Sequence, residues 1–388
     1  MPSVCIGEVP IMALTFMTAS LALTRLTAKK LANSVKSCFH CASLLDLILL
    51  RTCSYLFTST LLIDVTMLIA IAAVLIGLIL LIWSADRFVD GASATASHLG
   101  MSPLLIGLTI VAFGTSAPEM LVSTMAALDD APGLAIGNAI GSNIANIALV
   151  LGATALVSPL PIKGNLVRVE LPILTLATMG AGIVLLDYYL DAVDSGLLLL
   201  GLVVCLYLFK RYQQDYSQEA SQDHSQDKEK PLAKMSLKVG IVWLLVGLVL
   251  LALGSRILVG GAVYIATSLG VSEMIIGLTI IAIGTSLPEL AASIMSARKG
   301  QHGIALGNVI GSNVFNLLGV MAIPALISPV VIEADALWRD YGLMLMLTLF
   351  ILALGFKARR GGHISRPIGG LLLLIYVMYM FLLYTNAR

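Results

Sequence analysis

Gly114-Thr115-Ser116-Ala117-Pro118-Glu119 recurs 170 residues later as Gly284-Thr285-Ser286-Leu287-Pro288-Glu289. The two hexapeptides belong to a longer duplication, in which residues 107–146 match residues 277–316 without a gap and 22 of the 40 aligned positions are identical. Each copy places one glutamate inside an apolar stretch, and an acidic side chain at membrane depth is costly and usually functional. The duplication therefore predicts two related halves that build one site between them.

The composition predicts an all-α polytopic membrane protein. Hydrophobic residues make up 59% of the chain and charged residues 12%, and several apolar stretches are long enough to cross ~30 Å of hydrocarbon. A soluble globular core cannot absorb that much apolar surface. The formal net charge is +1 and no basic run with interleaved aromatic residues occurs, so the bilayer is an expected partner and nucleic acid is not.

The chain divides into four parts. Residues 1–66 have no counterpart in the second half and are interpreted as a doubtful N-terminal extension, with translation predicted to begin at Met67. Residues 67–211 form a first five-helix repeat, residues 212–237 a polar linker, and residues 238–388 a second five-helix repeat. The ten predicted spans are 67–84, 102–127, 133–157, 166–186, 193–211, 238–257, 272–297, 303–327, 339–356 and 367–385, of which the first and sixth could extend to Ser97 and Thr267.

Five spans per repeat is an odd number, so the second repeat must enter the bilayer from the opposite face. The loops after the odd-numbered spans hold fifteen Lys and Arg residues, whereas the other side, with helix six added, holds only Arg256, Arg339 and Arg388. The positive-inside rule then places the linker in the cytoplasm and both ends of the ten-helix body outside.

Each hexapeptide predicts a broken helix. Pro118 lacks the amide hydrogen that would bond the carbonyl of Gly114, and Pro288 does the same for Gly284. A break at membrane depth is tolerated where the freed backbone groups line a cavity or meet a ligand. These breaks are therefore expected to line a cation site.

Oxygen-bearing side chains recur at helical spacing around the breaks. Each glutamate shares a face with the residues four positions away on either side, and the following helix adds a Ser–Asn pair four residues apart. The set is Thr115, Glu119, Ser123, Ser142 and Asn146, with the duplicates Thr285, Glu289, Ser293, Ser312 and Asn316. Such oxygens suit the six to eight ligands of Ca²⁺, and the lack of nearby Cys or His argues against zinc or copper.

Other roles are open for part of this set. Hydroxyls in membrane helices also bond their own i−4 carbonyl or join helices. Glycines spaced four residues apart favour close packing of two helices. Charged residues near predicted span ends favour a position at the membrane interface. The glycines are Gly137, Gly141, Gly307 and Gly311, and the charged residues are Asp86, Asp90 and Arg256.

The two carboxylates predict exchange. A cavity that holds two ionised glutamates should resist closure, because burying one such charge costs ~3 kcal/mol on insertion scales. One Ca²⁺, or two or more Na⁺ or H⁺, would neutralise them, so only loaded states would cross and alternating access would follow. A passive channel and an intramembrane hydrolase with Ser116 or Ser286 as nucleophile are the alternatives. A channel usually needs an oligomeric pore. A hydrolase needs a general base, and the sequence places none near either serine.

The motifs GTSAPE with GNAIGSNIAN, and GTSLPE with GNVIGSNVFN, resemble the α-1 and α-2 repeats of the calcium/cation antiporter superfamily, in its sodium/calcium exchanger-like bacterial branch. The resemblance covers Met67–Arg388. It implies a multi-pass antiporter of the plasma (bacterial inner) membrane, with no cofactor and no catalysis, that exports Ca²⁺ against Na⁺ or H⁺. The implied ion ligands are Thr115, Ser116, Glu119, Ser142, Asn146, Thr285, Ser286, Glu289, Ser312 and Asn316, with backbone carbonyls near Ala112 and Ala282.

One departure from the superfamily pattern bears on selectivity. Potassium-dependent relatives place an aspartate at a position matching Asn146 or Asn316, and this chain has asparagine at both. The resemblance therefore implies transport that does not require K⁺.

Overall fold

The computed structural model describes residues 44–129, 132–162, 166–220, 235–270, 282–334, 336–357 and 362–386, with side chains from residue 65 onward except those of residues 213–220, 282, 336 and 386. Most of the predicted N-terminal extension, residues 1–43, and most of the predicted linker, residues 221–234, lie outside this part. The chain divides into two units, Met1–Ala72 and Ala73–Arg388. In the first unit, the described residues are helical.

The first copy is built from helices that are interrupted by π-helical turns. These turns are Gly107–Val111, Asn146–Leu151 and Leu166–Glu170. The regular elements are α1 Leu44–His98, α2 Pro103–Ile106, α3 Ala112–Thr115, α4 Ala117–Leu128, α5 Pro132–Ala145, α6 Gly152–Val157, β1 Leu160–Pro161, α7 Leu171–Val184, β2 Tyr189–Leu190 and α8 Ala192–Ala220. Helix α8 continues past the predicted span end at Arg211 into the predicted linker.

The second copy repeats this order. Its described π-helical turns are Asn316–Val320 and Ala336–Tyr341, 170 residues after turns of the first copy. The regular elements are α9 Leu237–Ser268, α10 Ala282–Thr285, α11 Leu287–Arg298, α12 His302–Phe315, α13 Ala322–Ile327, β3 Val330–Val331, α14 Gly342–Lys357, β4 His363–Ile364 and α15 Arg366–Asn386. Helices α1 and α9 end at His98 and Ser268, close to the longer ends allowed by the sequence.

Within the described residues, eight helical segments are long and apolar enough to cross a membrane. A ninth span is obtained if the bent pair of helices, Pro103–Thr115 and Ala117–Leu128, is counted as one span. The predicted span 272–297 lies partly outside the described residues, which include only α10 and α11 from it. The predicted all-α membrane fold is therefore confirmed at this coarser level.

Two spans form the centre of the molecule. In the most apolar 18-residue stretch of each helix, 83% of the residues are buried in His302–Ile327 and 72% in Pro132–Val157. In Arg366–Thr385 only 22% are buried. Both central spans carry candidate ligands, whereas the outer helices expose large apolar side chains such as Val203 and Met378. An apolar outer surface is what a bilayer requires, so the outer helices shield a polar interior from lipid.

Short strands join the two copies at the ends of the helices. Strand β1 pairs antiparallel with β4, with Leu160 opposite Ile364, and β2 pairs antiparallel with β3, with Leu190 opposite Val330. Each two-stranded sheet takes one strand from each copy. Strands β1 and β3 follow corresponding helices of the two copies. The β1–β4 pairing and the β2–β3 pairing are therefore counterparts of each other.

Two glycines of α12 allow very close packing against the start of the first duplicated segment. A Cβ added at Gly311 would lie 2.6 Å from the Cβ of Ala112, and one added at Gly307 would lie 2.8 Å from the backbone nitrogen of Leu108. The predicted close-packing role is confirmed for these two. At the duplicates Gly137 and Gly141, no atom of the described residues lies within 4 Å of an added Cβ. The residues that duplicate Leu104 and Leu108 lie outside the described residues, so the prediction stays a prediction there.

This difference gives a matched pair of substitutions. We expect Gly311→Ala to lower the free energy of unfolding by about 1–3 kcal/mol, because the added methyl group overpacks a backbone contact. Gly141→Ala, at the duplicated position, should leave it unchanged or raise it slightly, since alanine has the higher helix propensity. Thermal unfolding of the purified variants in detergent measures both, and equal midpoints would contradict the packing argument.

Candidate functional site

The two helix breaks have nearly the same backbone geometry. Ser116 has φ −80° and ψ 0°, and Ser286 has φ −87° and ψ 5°, so neither residue has α-helical ψ. In each copy the proline lies in the first turn of the next helix, where its missing N–H would have had no intrahelical partner. Both breaks fall where the sequence predicts them.

Glu119 and Glu289 lie in the first turn after their breaks, and both are fully buried. Their helices, α4 and α11, come from different copies. The hydroxyl oxygen of Ser116 lies 3.5 Å from Oε1 of Glu289, at the outer limit of a hydrogen bond. The two acidic side chains therefore face a common region.

Several oxygen atoms around this region have no hydrogen-bond partner within the described part of the chain. They include both carboxylate oxygens of Glu119, Oε2 of Glu289 and the hydroxyl of Ser286. Buried polar atoms are nearly always paired, and each unpaired one costs about 1–3 kcal/mol. A group of unpaired buried oxygens is suited to coordinating a cation, which would satisfy them together.

Asn146 and Asn316 complete the group. Each is buried, each has both polar side-chain atoms without a partner among the described residues, and each begins a π-helical turn. Such turns insert one extra residue and are often found at functional sites. The same interruption in both copies changes the helical register directly after the predicted ligand.

The predicted hydroxyl ligands are brought together only in part. The hydroxyl of Thr115 donates to Oδ1 of Asn308 over 3.1 Å and lies 3.5 Å from the hydroxyl of Ser312. It also lies 3.4 Å from the carbonyl oxygen of Ala112, its own helical neighbour. Ser142 is buried as well, whereas Thr285 is partly exposed. Ala282 is described only through its backbone, as the first residue of α10.

Sequence reasoning missed Asn138 and Asn308, which the structure places directly against the glutamate segments. The side-chain nitrogen of Asn308 donates to the carbonyl of Glu289 over 3.3 Å and to the hydroxyl of Ser293 over 2.9 Å. Asn138 makes the duplicate bonds to Glu119 and Ser123, over 3.2 and 3.0 Å. A sequence signal existed, since both asparagines lie four residues before the Ser–Asn pair, on the same helix face.

The expected free carbonyls are not equivalent in the two copies. The carbonyl of Gly284, freed by Pro288, accepts a hydrogen bond of 2.7 Å from the hydroxyl of Ser255 on α9. The duplicate of Ser255 is Ala85, which has no hydroxyl to offer Gly114. The carbonyl of Gly284 therefore serves to anchor the break to α9 in this conformation.

The interfacial interpretation of Asp86 and Asp90 stays a prediction. Both lie inside α1, eight or more residues before its end at His98, because the helix extends past the predicted span end. Both side chains contact Lys299, which follows α11 in the other copy.

The family of the chain follows from comparison with known sequences. The profile of the family described as "Sodium/calcium exchanger protein" matches residues 69–211 and 239–385, which together include nearly all of both copies. The chain belongs to this family. Membership makes it a membrane cation antiporter and confirms the resemblance to the calcium/cation antiporter superfamily.

Similar proteins give the same result. The chain is 45% identical over 320 residues to "Putative antiporter CaxA" of Alkalimonas amylolytica, with 82% of this chain and 100% of that protein covered. It is 39% identical over 319 residues to "Inner membrane protein YrbG" of Escherichia coli K12, with 82% and 98% covered. A solved structure of the sodium-calcium exchanger NCX_Mj, soaked with Na⁺ and Sr²⁺, matches with a TM-score of 0.67 and 33% identity, covering 80% of this chain and 97% of that one.

The asparagine contacts generate a prediction for this exchanger-family site. We expect Asn308→Ala to weaken Ca²⁺ binding about tenfold, because the backbone of Glu289 and the hydroxyls of Thr115 and Ser293 lose a shared partner. Isothermal titration with Ca²⁺ in detergent measures the change.

The matched control is Asn313→Ala. Asn313 is buried on the same helix, but its side chain donates to the carbonyl of Val309, one turn back. Equal weakening by both substitutions would show that general damage to α12, and not the position of Glu289, is responsible.

Proposed function

We propose that this chain is a secondary active antiporter that exchanges Ca²⁺ for Na⁺, or for H⁺, by alternating access around Glu119 and Glu289. The observation that carries the proposal is a pair of fully buried glutamates, one after each helix break, whose oxygens are largely unpaired. The proposed ligands are the twelve residues that the resemblance implies: Thr115, Ser116, Glu119, Ser142, Asn146, Thr285, Ser286, Glu289, Ser312 and Asn316, with the carbonyls of Ala112 and Ala282.

The donor set favours a hard cation. Carboxylate, hydroxyl, amide and carbonyl oxygens suit Ca²⁺, which takes six to eight ligands and tolerates irregular geometry. Na⁺ has nearly the same size and accepts the same oxygens with half the charge. A site with two carboxylates can therefore hold one Ca²⁺ or more than one monovalent cation, and the two loads compete for it.

Obligatory exchange follows from the charges. With both glutamates ionised and no cation bound, closing the site on both sides would leave two negative charges in a low-dielectric interior. Bound Ca²⁺, Na⁺ or H⁺ removes that penalty. The protein then returns across the membrane only when loaded, so the downhill movement of one ion drives the uphill movement of the other.

The architecture proposed for this cycle has ten membrane-spanning helices in two inverted five-helix repeats. The odd number of helices per copy requires the inversion, and the exchange of strand pairings between β1–β4 and β2–β3 supports it. The distribution of Lys and Arg supports a cytoplasmic linker and an external location for both ends of the ten-helix body, in a plasma membrane. In that orientation, an inward Na⁺ or H⁺ gradient would drive Ca²⁺ export.

The first test removes each charge in turn. We expect Glu119→Gln or Glu289→Gln to reduce ⁴⁵Ca²⁺ uptake into proteoliposomes at least a hundredfold, because the remaining carboxylate cannot balance a divalent cation in a dry site. Glu333→Gln, at an exposed glutamate outside the site, is the control and should transport normally. Full transport by both site variants would exclude the two-glutamate mechanism.

The second test identifies the coupling ion. We expect an outwardly directed Na⁺ gradient, imposed on Ca²⁺-free proteoliposomes, to drive ⁴⁵Ca²⁺ uptake, and replacement of K⁺ by choline to have no effect. Uptake driven only by a proton gradient would assign H⁺ as the partner. Uptake that needs no opposing ion would identify a channel and contradict exchange.

A further inference from the structure

A three-residue ion cluster joins the two copies near the end of α11. The ammonium group of Lys299 lies 2.8 Å from Oδ1 of Asp86 and 2.6 Å from Oδ1 of Asp90, and it also donates to the backbone carbonyl of Asp86 over 2.7 Å. The lysine side chain is 23% exposed and that of Asp90 24%. Lys299 belongs to the second copy and both aspartates to the first, so the cluster connects one copy to the other.

The duplication extends through these positions without a gap. At the same offset of 170 residues, Gly77 matches Gly247, Gly91 matches Gly261, and Leu99-Gly100 matches Leu269-Gly270. The duplicates of the cluster residues can therefore be read directly.

At both ends of the ion pair, the duplicate carries the opposite charge. The duplicate of Asp86 is Arg256, and the duplicate of Lys299 is Asp129. The acidic residue of one copy is matched by a basic residue in the other, and the basic residue by an acidic one. The duplicate pair, Arg256 and Asp129, therefore again consists of one acid and one base.

In the structure the duplicate pair is separated. Asp129 and Arg256 are both exposed, and within the described part of the chain neither side chain takes part in an ion pair or hydrogen bond. The ion pair between Lys299 and Asp86 is thus formed, whereas its charge-reversed duplicate, Asp129 with Arg256, is not formed in this conformation.

Two other features divide in the same way. Thr115 and Asn308 are fully buried against each other, whereas their duplicates Thr285 and Asn138 are both partly exposed. As described above, two glycines of α12 pack against backbone, whereas the duplicates on α5 meet no atom of the described residues. Among the described residues, the contacts on the Lys299 side of the glutamates are therefore more buried than their duplicates.

We propose that Asp129 and Arg256 form the ion pair that closes the opposite side of the transporter when the site is presented to the Lys299 side. This inference rests on the proposed inverted repeats. If the copies exchange conformations during transport, every contact between residues i and j is replaced by the contact between their duplicates. The contact of Asp86 with Lys299 then becomes a contact of Arg256 with Asp129.

The two closures are unequal. Lys299 binds two carboxylates, but the duplicate of Asp90 is Gly260, so Asp129 has one basic partner where Lys299 has two acidic ones. The cluster around Lys299 therefore favours the conformation seen here, and the single pair of Asp129 with Arg256 stabilises the opposite one less.

Charge reversal tests the pair. We expect Asp129→Arg or Arg256→Asp to slow ⁴⁵Ca²⁺ exchange about two- to fivefold, since like charges would then meet when that side closes. The double variant Asp129→Arg/Arg256→Asp should recover most of the rate. Arg298→Asp, on the exposed neighbour of Lys299, is a charge control for the assay. Single variants without effect, or a double variant as slow as the worse single one, would overturn the inference.

Cross-linking tests the contact without transport. In a chain whose five native cysteines are replaced by serine, Asp129→Cys/Arg256→Cys should form an oxidant-induced disulfide that the resting structure does not favour. Asp129→Cys/Leu245→Cys is the control, because Leu245 is exposed on the same helix face but roughly 16 Å away along the axis.

Failure of the test pair to cross-link above the control would contradict the inference even if Ca²⁺ exchange is intact. Cross-linking in a protein that does not transport Ca²⁺ would support the conformational change but contradict the proposed Ca²⁺ transport. The two failures are therefore distinguishable.

Discussion

The structure depends on the burial of two acidic side chains in an apolar interior. Glu119 and Glu289 are fully enclosed, and no salt bridge to a basic side chain neutralises them within the described residues. A buried carboxylate without a counter-charge is among the most costly groups a protein can hold. The surrounding architecture encloses both groups and leaves most of their carboxylate oxygens without a partner among the described residues.

The helix breaks and the asparagines address that constraint in different ways. Each break removes regular backbone hydrogen bonds next to a glutamate and so adds polar groups to the same region. Asn138 and Asn308 then fix the backbone of the glutamate segments, so that the carboxylates are positioned without their own oxygens being used. Placing the glutamate through its backbone carbonyl leaves the carboxylate available for the proposed cation.

Much of this arrangement could be predicted from the sequence, because it depends on local chemistry. Each proline removes the hydrogen bond to the glycine carbonyl four residues earlier, and the break lies at Ser116 and Ser286 as expected. The buried glutamates follow from the same segments. Apolar length was also sufficient to locate most of the spans, although α8 continued beyond its predicted end because polar residues can extend a helix outside the membrane.

Two of the features that sequence reasoning missed depend on contacts between distant segments. The bond from Ser255 to Gly284 and the cluster around Lys299 join residues whose proximity no spacing rule reveals.

The matching π-helical turns have a consequence for the origin of the molecule. Turns at Asn146 and Asn316, and again at Leu166 and Ala336, occupy the same places in both copies, so an ancestor half this size already contained them. If the repeats are inverted as proposed, two molecules of that ancestor inserted in opposite orientations to form one unit. Identical subunits would have had the same residues at both cross-copy contacts. Opposite charges such as those at Asp129 and Lys299 require two separate copies of the coding sequence that could mutate independently.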